Sequence, residues 1–255
     1  MFDLSTAAAA GPDAWRFAAL ALAAAGIGFS KAGFPGVSML HVVVFALAFG
    51  TKASTGILLP LLIVGDLCAI TGFGRRGRLD HIRRLLPPAL IGIGLGALAL
   101  RFVPTEPFRY IVAGMILTLA AVQAYRMRHP SFAAEAVRHP AFAWTLGIAA
   151  GTTTMMANAA GPIAALYLLA VSLPKYELIG TSAWLFLSLN LIKVPVSTSL
   201  GLMNASTLFI DLQLMAFVPI GLVAGRWVVQ RISQRTFDVL LLAFTAVMAV
   251  RLAVG

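Results

Sequence analysis

The chain consists of apolar stretches separated by short polar segments. Six continuous apolar runs have the length of about 18–24 residues that lets a helix cross a hydrocarbon core, and they cover 53–73, 85–102, 108–125, 177–199, 207–230 and 236–253. The polar segments between them are too short for an extramembrane domain. The pattern therefore predicts an all-α polytopic membrane protein in which residues 1–255 form a single integral membrane domain.

Two further apolar stretches, 15–49 and 141–172, are interrupted by helix-breaking residues. As continuous helix each would be about 50 Å long, too long for one crossing and short of two. Hydrocarbon offers no hydrogen-bond partners to a broken helix, so a break is tolerated only inside protein or beside a wet cavity. We therefore expect each stretch to fold back as a re-entrant hairpin whose break contributes to a binding site.

The two halves of the sequence resemble each other, over about 15–125 and 141–253. The segment 33–36 matches 159–162, Gly56 matches Gly180, and Asp66 matches Asn190. Paired Gly/Pro interruptions in two halves are the best sequence indication of the central site of a secondary transporter. We expect two repeats, each with one interrupted segment and three transmembrane helices.

The positions of Lys and Arg in the loops favour hairpins over full crossings. With both interrupted segments re-entrant, most of these residues lie on one side of the membrane, as the positive-inside rule requires. Three crossings per half then make the repeats inverted. Eight simple crossings with parallel halves remain the alternative.

Composition supports the membrane interpretation and excludes other classes. Hydrophobic residues make up 60% of the chain and charged residues 11%, and the mean hydropathy is +0.93, outside the range of soluble domains. The formal charge of +10 comes from membrane-flanking loops, so no nucleic-acid partner is expected. The four histidines and the lone Cys68 show no metal-ligand spacing, and no nucleotide or triad motif occurs, so we expect no enzyme, metal or cofactor.

The breaks have the chemistry of an anion site. A new helix should begin near Gly36 and near Pro162, and the unpaired N–H groups and dipole of a helix start favour negative charge. Thr152, Thr153, Thr154 and Asn158 could add donors, or could simply bond to their own helix and cap the next. Lys31, beside Ser30, is either a functional charge or reaches an interface by snorkelling.

Asp66 is an intramembrane carboxylate, and Asn190 and Lys193 lie one turn apart on the equivalent helix of the second half. If the halves pack about a pseudo-two-fold axis, Asp66 could approach Lys193. Two roles compete: Asp66 couples protons while Lys193 contacts an anion, or the two form a structural ion pair. The glycines Gly92, Gly94, Gly96, Gly221 and Gly225 predict close helix packing.

Two segments, GIGFSKAGFPGVSML (26–40) and GIAAGTTTMMANAAGPIAALYLL (147–169), resemble the sulfite exporter TauE/SafE family, also described as probable membrane transporters or toluene sulfonate uptake permeases. The resemblance implies a bacterial inner-membrane carrier for sulfite, sulfoacetate or other organosulfonates. Lys31 and Phe34 stand where the family often has small residues. The motif positions are Ser30, Lys31, Gly33, Pro35, Gly36, Thr152, Thr153, Thr154, Asn158, Gly161 and Pro162.

Together these features predict a secondary active transporter of a small anion, with Asn190 and Lys193 added to the substrate site and Asp66 coupling protons. A passive anion channel, uptake in place of export, and a membrane-embedded assembly factor are the alternatives. The lone Asp66 argues against an intramembrane enzyme. The sequence fixes neither the coupling ion, for which protons are the candidate, nor the oligomeric state, for which a homodimer is the candidate.

Overall fold

The computed structural model describes residues 14–34, 37–129, 140–171 and 173–229, with the single residues 231 and 250. Regular structure in this part of the chain is helical, and a short 3-10 turn at Gly74–Arg76 joins two of the helices. Pro35, Gly36 and nearly all of the predicted helix 236–253 lie outside the described residues. The helices are α1 (Ala14–Lys31), α2 (Ser38–Phe49), α3 (Ala53–Phe73), α4 (Leu79–Phe102), α5 (Thr105–Arg128), α6 (Pro140–Ala157), α7 (Gly161–Ala170), α8 (Lys175–Ser199), α9 (Ala205–Leu214) and α10 (Phe217–Val229).

Both predicted interruptions are present. The first separates α1 from α2, and the second separates α6 from α7. With 12 residues in α2 and 10 in α7, these arms are about 18 and 15 Å long at 1.5 Å per residue. Neither can cross a hydrocarbon core of about 30 Å alone.

Three described helical segments are long and apolar enough to cross a membrane: Ala53–Arg76, Leu79–Phe102 and Tyr176–Ser199. The predicted single helix 207–230 is wrong in one respect, because α9 and α10 are separated by a break and bent by 41°. Taken as one bent span, this pair makes a fourth crossing. The helix predicted at 85–102 begins earlier, at Leu79, because the exposed side chains of Arg83 and Arg84 stay outside the core without interrupting helical backbone.

The most extensive helix contacts join the two halves of the sequence. α4 packs along α6, α10 packs along α1, and α3 packs against α8. Buried apolar side chains from all ten described helices form one core, in which Phe45, Phe108 and Met155 are fully buried. The ends of the two broken segments are therefore held between helices of both halves.

Glycine makes these close approaches possible. A Cβ at Gly92 would lie 2.7 Å from the backbone nitrogen of Thr152 on α6, and a Cβ at Gly221 would contact the backbone of Ala25 on α1. The prediction of close packing is confirmed at these positions and at Gly96 and Gly225, where an added Cβ would also be too close to its neighbours. It is wrong at Gly94, where a Cβ would meet no atom of the described residues within 4 Å.

Candidate functional site

The two interruptions meet at one cavity of about 60 Å³. A volume of this kind holds about four waters, or a compact anion of similar size. The ends of α1 and α6 and the starts of α2 and α7 form part of its wall, and one face of α3 and of α8 forms the rest. The residues that line it include Ser30, Lys31, Gly33, Ser38, Thr154, Asn158, Gly161, Ser182, Phe186 and Asn190.

Each break is shaped by a residue in the left-handed region. Gly33 has φ 119° and Asn158 has φ 52°, a conformation that Gly and Asn tolerate better than other residues. After each residue the chain turns and starts a new helix, at Ser38 and at Gly161. Pro162 is the second residue of α7, where its missing N–H costs no helical hydrogen bond. Ser38 and Gly161 both line the cavity, so both helix starts lie at its wall.

Lys31, the last residue of α1, forms an ion pair with Asp66 on α3. Its Nζ lies 2.6 Å from Asp66 Oδ1, and the Asp66 side chain has no exposed surface. Asn190 on α8 donates to the other carboxylate oxygen at 2.8 Å. Lys31 also lies over the ring of Phe186, 4.6 Å from its centroid. With only 11% of its side chain exposed, Lys31 does not snorkel to an interface.

Lys193 belongs to a second group of contacts, with Thr154 and Asn158 at the second break. It donates to the side-chain oxygen of Asn158 and, at 3.3 Å, to Thr154 Oγ1. Asn158 in turn donates to the backbone oxygen of Thr55 at 3.0 Å. The Asn158 side chain thus ties the second break to α3 and α8 rather than capping α7. Lys193 is 1% exposed. It does not line the cavity itself but bonds to Thr154 and Asn158, which do.

Asp66 and Lys193 are close enough to interact electrostatically, as expected, but the suggested ion pair between them is not formed. Asp66 is paired with Lys31, whereas Lys193 forms no ion pair with any carboxylate in the described ranges. The sequence suggested the wrong partner because Lys31 lies at the end of a broken segment whose path cannot be read from helical spacing. Asn190 and Lys193 do share a helix face, but they contact different groups.

Several predicted donors are engaged with their own helices. The hydroxyls of Thr152 and Thr153 donate to the carbonyls of Ile148 and Ala149 at 2.9 and 2.8 Å, and neither residue lines the cavity. Ser30 lines it, but its hydroxyl donates to Ile27 O at 2.7 Å. Of the three consecutive threonines, Thr154 is the one at the cavity wall.

Some residues of the site were missed by sequence analysis. Ser182 and Phe186 were not predicted and line the cavity from α8 together with the predicted Asn190, and the spacing of four between them places all three on one helix face. That spacing was a usable signal.

Two buried groups elsewhere, His41 and Asp211, have side-chain nitrogen or oxygen atoms without a hydrogen-bond partner among the described residues. Asp211 lies in the predicted helix 207–230 and was not singled out.

The chemistry of the cavity suits a small anion. It combines an accessible ammonium, a second buried ammonium behind the wall, amide and hydroxyl groups, and two helix starts. No group of three or more His, Cys, Asp or Glu residues in the described ranges could hold a metal ion.

Comparison with known proteins agrees with this chemistry. Residues 19–252 match the family model described as sulfite exporter TauE/SafE, and the chain belongs to that family. Membership implies a membrane transporter of sulfite or related sulfur-containing anions, and this is a transporter family rather than an enzyme family. No curated protein and no solved structure matches the chain.

Proposed function

We propose that the protein is a secondary active transporter of the bacterial inner membrane that moves a small sulfur-containing anion, sulfite or an organosulfonate. The observation that carries the proposal is Lys193, a buried ammonium without an ion-pair partner among the described carboxylates, directly behind a cavity between two helix starts. A buried charge is costly unless it is compensated. A bound anion would supply that compensation.

In this proposal the anion contacts Lys31, which lines the cavity, together with the amide of Asn158 and the first N–H groups of α2 and α7. Lys193 acts on the anion electrostatically through its position behind Thr154 and Asn158. In a low-dielectric site such an interaction is stronger than at a surface. Thr154 accepts from Lys193 and can donate its own O–H to the anion, the hydroxyl of Ser30 stays bonded to Ile27 O, and Asn190 holds Asp66 in place.

Alternating access between two inverted repeats is the proposed transport mechanism. The packing of α4 on α6 and of α10 on α1 supports it, because α4 and α10 each pack on a broken segment of the other half and would move with it. The short arms α2 and α7 support the re-entrant arrangement. A rocking motion of the α4–α6 pair against the α1–α10 pair would then expose the cavity to the two faces of the membrane in turn.

Asp66 is the proposed proton-coupling residue. An anion that binds to Lys31 competes with Asp66 for the same ammonium. A buried carboxylate that loses its ion-pair partner is strongly disfavoured, and a proton relieves this. Binding of the anion and binding of a proton would thereby be linked at neighbouring positions.

Flux measurements in proteoliposomes test the proposed function. The purified protein is reconstituted with radiolabelled sulfite or sulfoacetate, and flux is followed with and without an imposed pH gradient. A secondary transporter gives saturable flux that a pH gradient drives against the anion gradient. Flux that follows only the anion's own electrochemical gradient would establish the passive channel, and absence of flux for every sulfur anion would remove the transport proposal. The side on which the anion accumulates decides export against uptake.

A further inference from the structure

The buried charges at the cavity do not balance. Lys31 and Asp66 compensate each other as a pair 2.6 Å apart. Lys193 donates only to the neutral oxygens of Thr154 and Asn158. Among the residues that the structure describes, Lys31 is the one charged side chain that lines the cavity, and Asp66 and Lys193 lie behind its wall, each bonded to a residue that lines it. The site therefore carries one net positive charge when all three groups are ionised.

From this imbalance we infer that the site is neutralised by one negative charge, so that a monovalent anion binds with Asp66 ionised and a divalent anion binds only together with a proton on Asp66. The inference rests on the proposed function of the cavity as an anion site, and it sets the proton stoichiometry for each class of substrate. A second buried negative charge without compensation is as costly as the unpaired lysine. Hydrogen sulfite and simple alkanesulfonates fall in the first class, and sulfoacetate falls in the second.

The contacts of Asp66 make it the acceptor of that proton. Lys31 pairs with Asp66 and also lines the cavity, with 11% of its side chain exposed. A bound anion and Asp66 therefore compete for one ammonium. A proton taken from the solution would bind to the carboxylate oxygen that Lys31 gives up, while Asn190 keeps its hydrogen bond to the other oxygen. No covalent bond other than the new O–H is formed.

Other charged or titratable side chains lie on elements that pack against α3, and a test must separate them from Asp66. Lys31 alone among them forms an ion pair with Asp66 in the described part of the chain. His41 and Asp211 are buried and have unpartnered side-chain atoms, so they are the rival sites for a proton. The charged or titratable side chains that the structure describes on these elements are Arg16, Lys31, His41, Arg75, Arg76, Tyr176, Glu177, Lys193, Asp211 and Arg226.

Sulfoacetate and sulfoacetamide provide a matched pair of probes, since they have the same heavy-atom skeleton and differ by one negative charge. Binding to the purified full chain is measured by isothermal titration calorimetry in buffers of different ionisation enthalpy, which reports the protons taken up per anion bound. We expect one proton per sulfoacetate and none per sulfoacetamide. The affinity for sulfoacetate should then fall about tenfold per pH unit above neutrality, as linkage to one proton requires.

Three variants assign the proton to its residue. Asp66→Asn should bind sulfoacetate without proton uptake, whereas His41→Gln and Asp211→Asn should keep the uptake of the unmodified chain. Uptake that persists in Asp66→Asn, or disappears in either of the other two variants, would overturn the assignment to Asp66.

Proton uptake by the unmodified chain alone also tests whether the charge of the anion sets the number of protons bound, even where a variant fails to fold. Equal proton uptake for the two probes, or sulfoacetate binding that is independent of pH, would overturn this inference and leave the anion site intact. Absence of binding by sulfite, by sulfonates and by both probes would instead remove the proposed function together with the inference.

Discussion

Lys31 and Asp66 join a broken segment to a continuous helix through an ion pair of 2.6 Å in which the carboxylate is fully buried. The lysine ends α1 at the first interruption, and the aspartate lies in the middle of α3. Because the same lysine lines the cavity, any ligand that attracts it also changes the surroundings of Asp66. Stability and anion binding are thus linked at this pair.

Removal of Lys31 alone should destabilise the protein, because it leaves Asp66 buried without its cation. We expect Lys31→Met to lower the free energy of unfolding by about 3–5 kcal/mol, measured by thermal unfolding in detergent. The double variant Lys31→Met/Asp66→Asn should recover most of that loss while anion binding stays impaired. A double variant as unstable as the single one would show that the ion pair is not the cause.

Asn158 should matter for binding more than for folding. Asn158→Ala removes one of the two acceptors of Lys193 and the bond to Thr55 O, and we expect the affinity for sulfite to fall about tenfold or more. Asn204→Ala is the matched control, since Asn204 caps α9 through a capping box away from the cavity. That variant should lose about 1 kcal/mol of stability and keep its anion affinity, which a thermal-shift titration measures. Equal anion affinities in the two variants would argue against the proposed site.

Lys193 and Lys52 are two partly or fully buried lysines with different predicted roles. Lys193→Met should preserve or raise thermal stability, because it removes a buried charge without an ion-pair partner, and should abolish saturable anion binding. Lys52 donates to the carbonyls of Leu100 and Val103 at the end of α4. Lys52→Met should therefore lose about 1.5–3 kcal/mol of stability with unchanged anion affinity. Anion binding retained in Lys193→Met would contradict the electrostatic role of this lysine.

Two glycines on α4 should respond oppositely to alanine. Gly92→Ala places a Cβ 2.7 Å from Thr152 N in the contact between α4 and α6, and overpacking of this kind costs about 1–3 kcal/mol. Gly94→Ala places a Cβ where no described atom lies within 4 Å and should be neutral or stabilising by up to about 1 kcal/mol through helix propensity. Thermal unfolding of the two variants checks both signs. A similar loss of stability in both variants would mean that the contact between α4 and α6 is not what distinguishes the two positions.

Asp66→Asn should abolish the response of sulfite flux to an imposed pH gradient while leaving downhill flux, because an amide cannot take up the coupling proton. Proteoliposome flux with and without the gradient is the measurement. Asp211→Asn is the control, as it changes a buried carboxyl group that does not line the cavity. Full coupling in Asp66→Asn would assign Asp66 to structure alone.

The sequence predicted the helices and the interruptions because both depend on local chemistry. The prediction 53–73 coincides with Ala53–Phe73, and new helices begin where Gly and Pro allow them. The bend at Met215–Ala216 was missed although Pro219 follows it in the apolar run: proline has no N–H to donate to the carbonyl four residues earlier, which is that of Met215, so the helix is interrupted there. The start of α4 was misplaced because Arg83 and Arg84 are polar and yet compatible with helix at a membrane edge.

What the sequence determined by itself is the class of protein, the position of the two breaks and the family. These follow from hydrophobic length, from the conformational limits of Gly, Pro and Asn, and from a motif that is contiguous in the chain. Only the tertiary structure decided that Lys31, rather than Lys193, pairs with Asp66, and that Lys193 remains without a carboxylate among the described residues. Partners distant in sequence are chosen by the packing of α1, α3, α6 and α8, and periodicity within single helices carries no information about that packing.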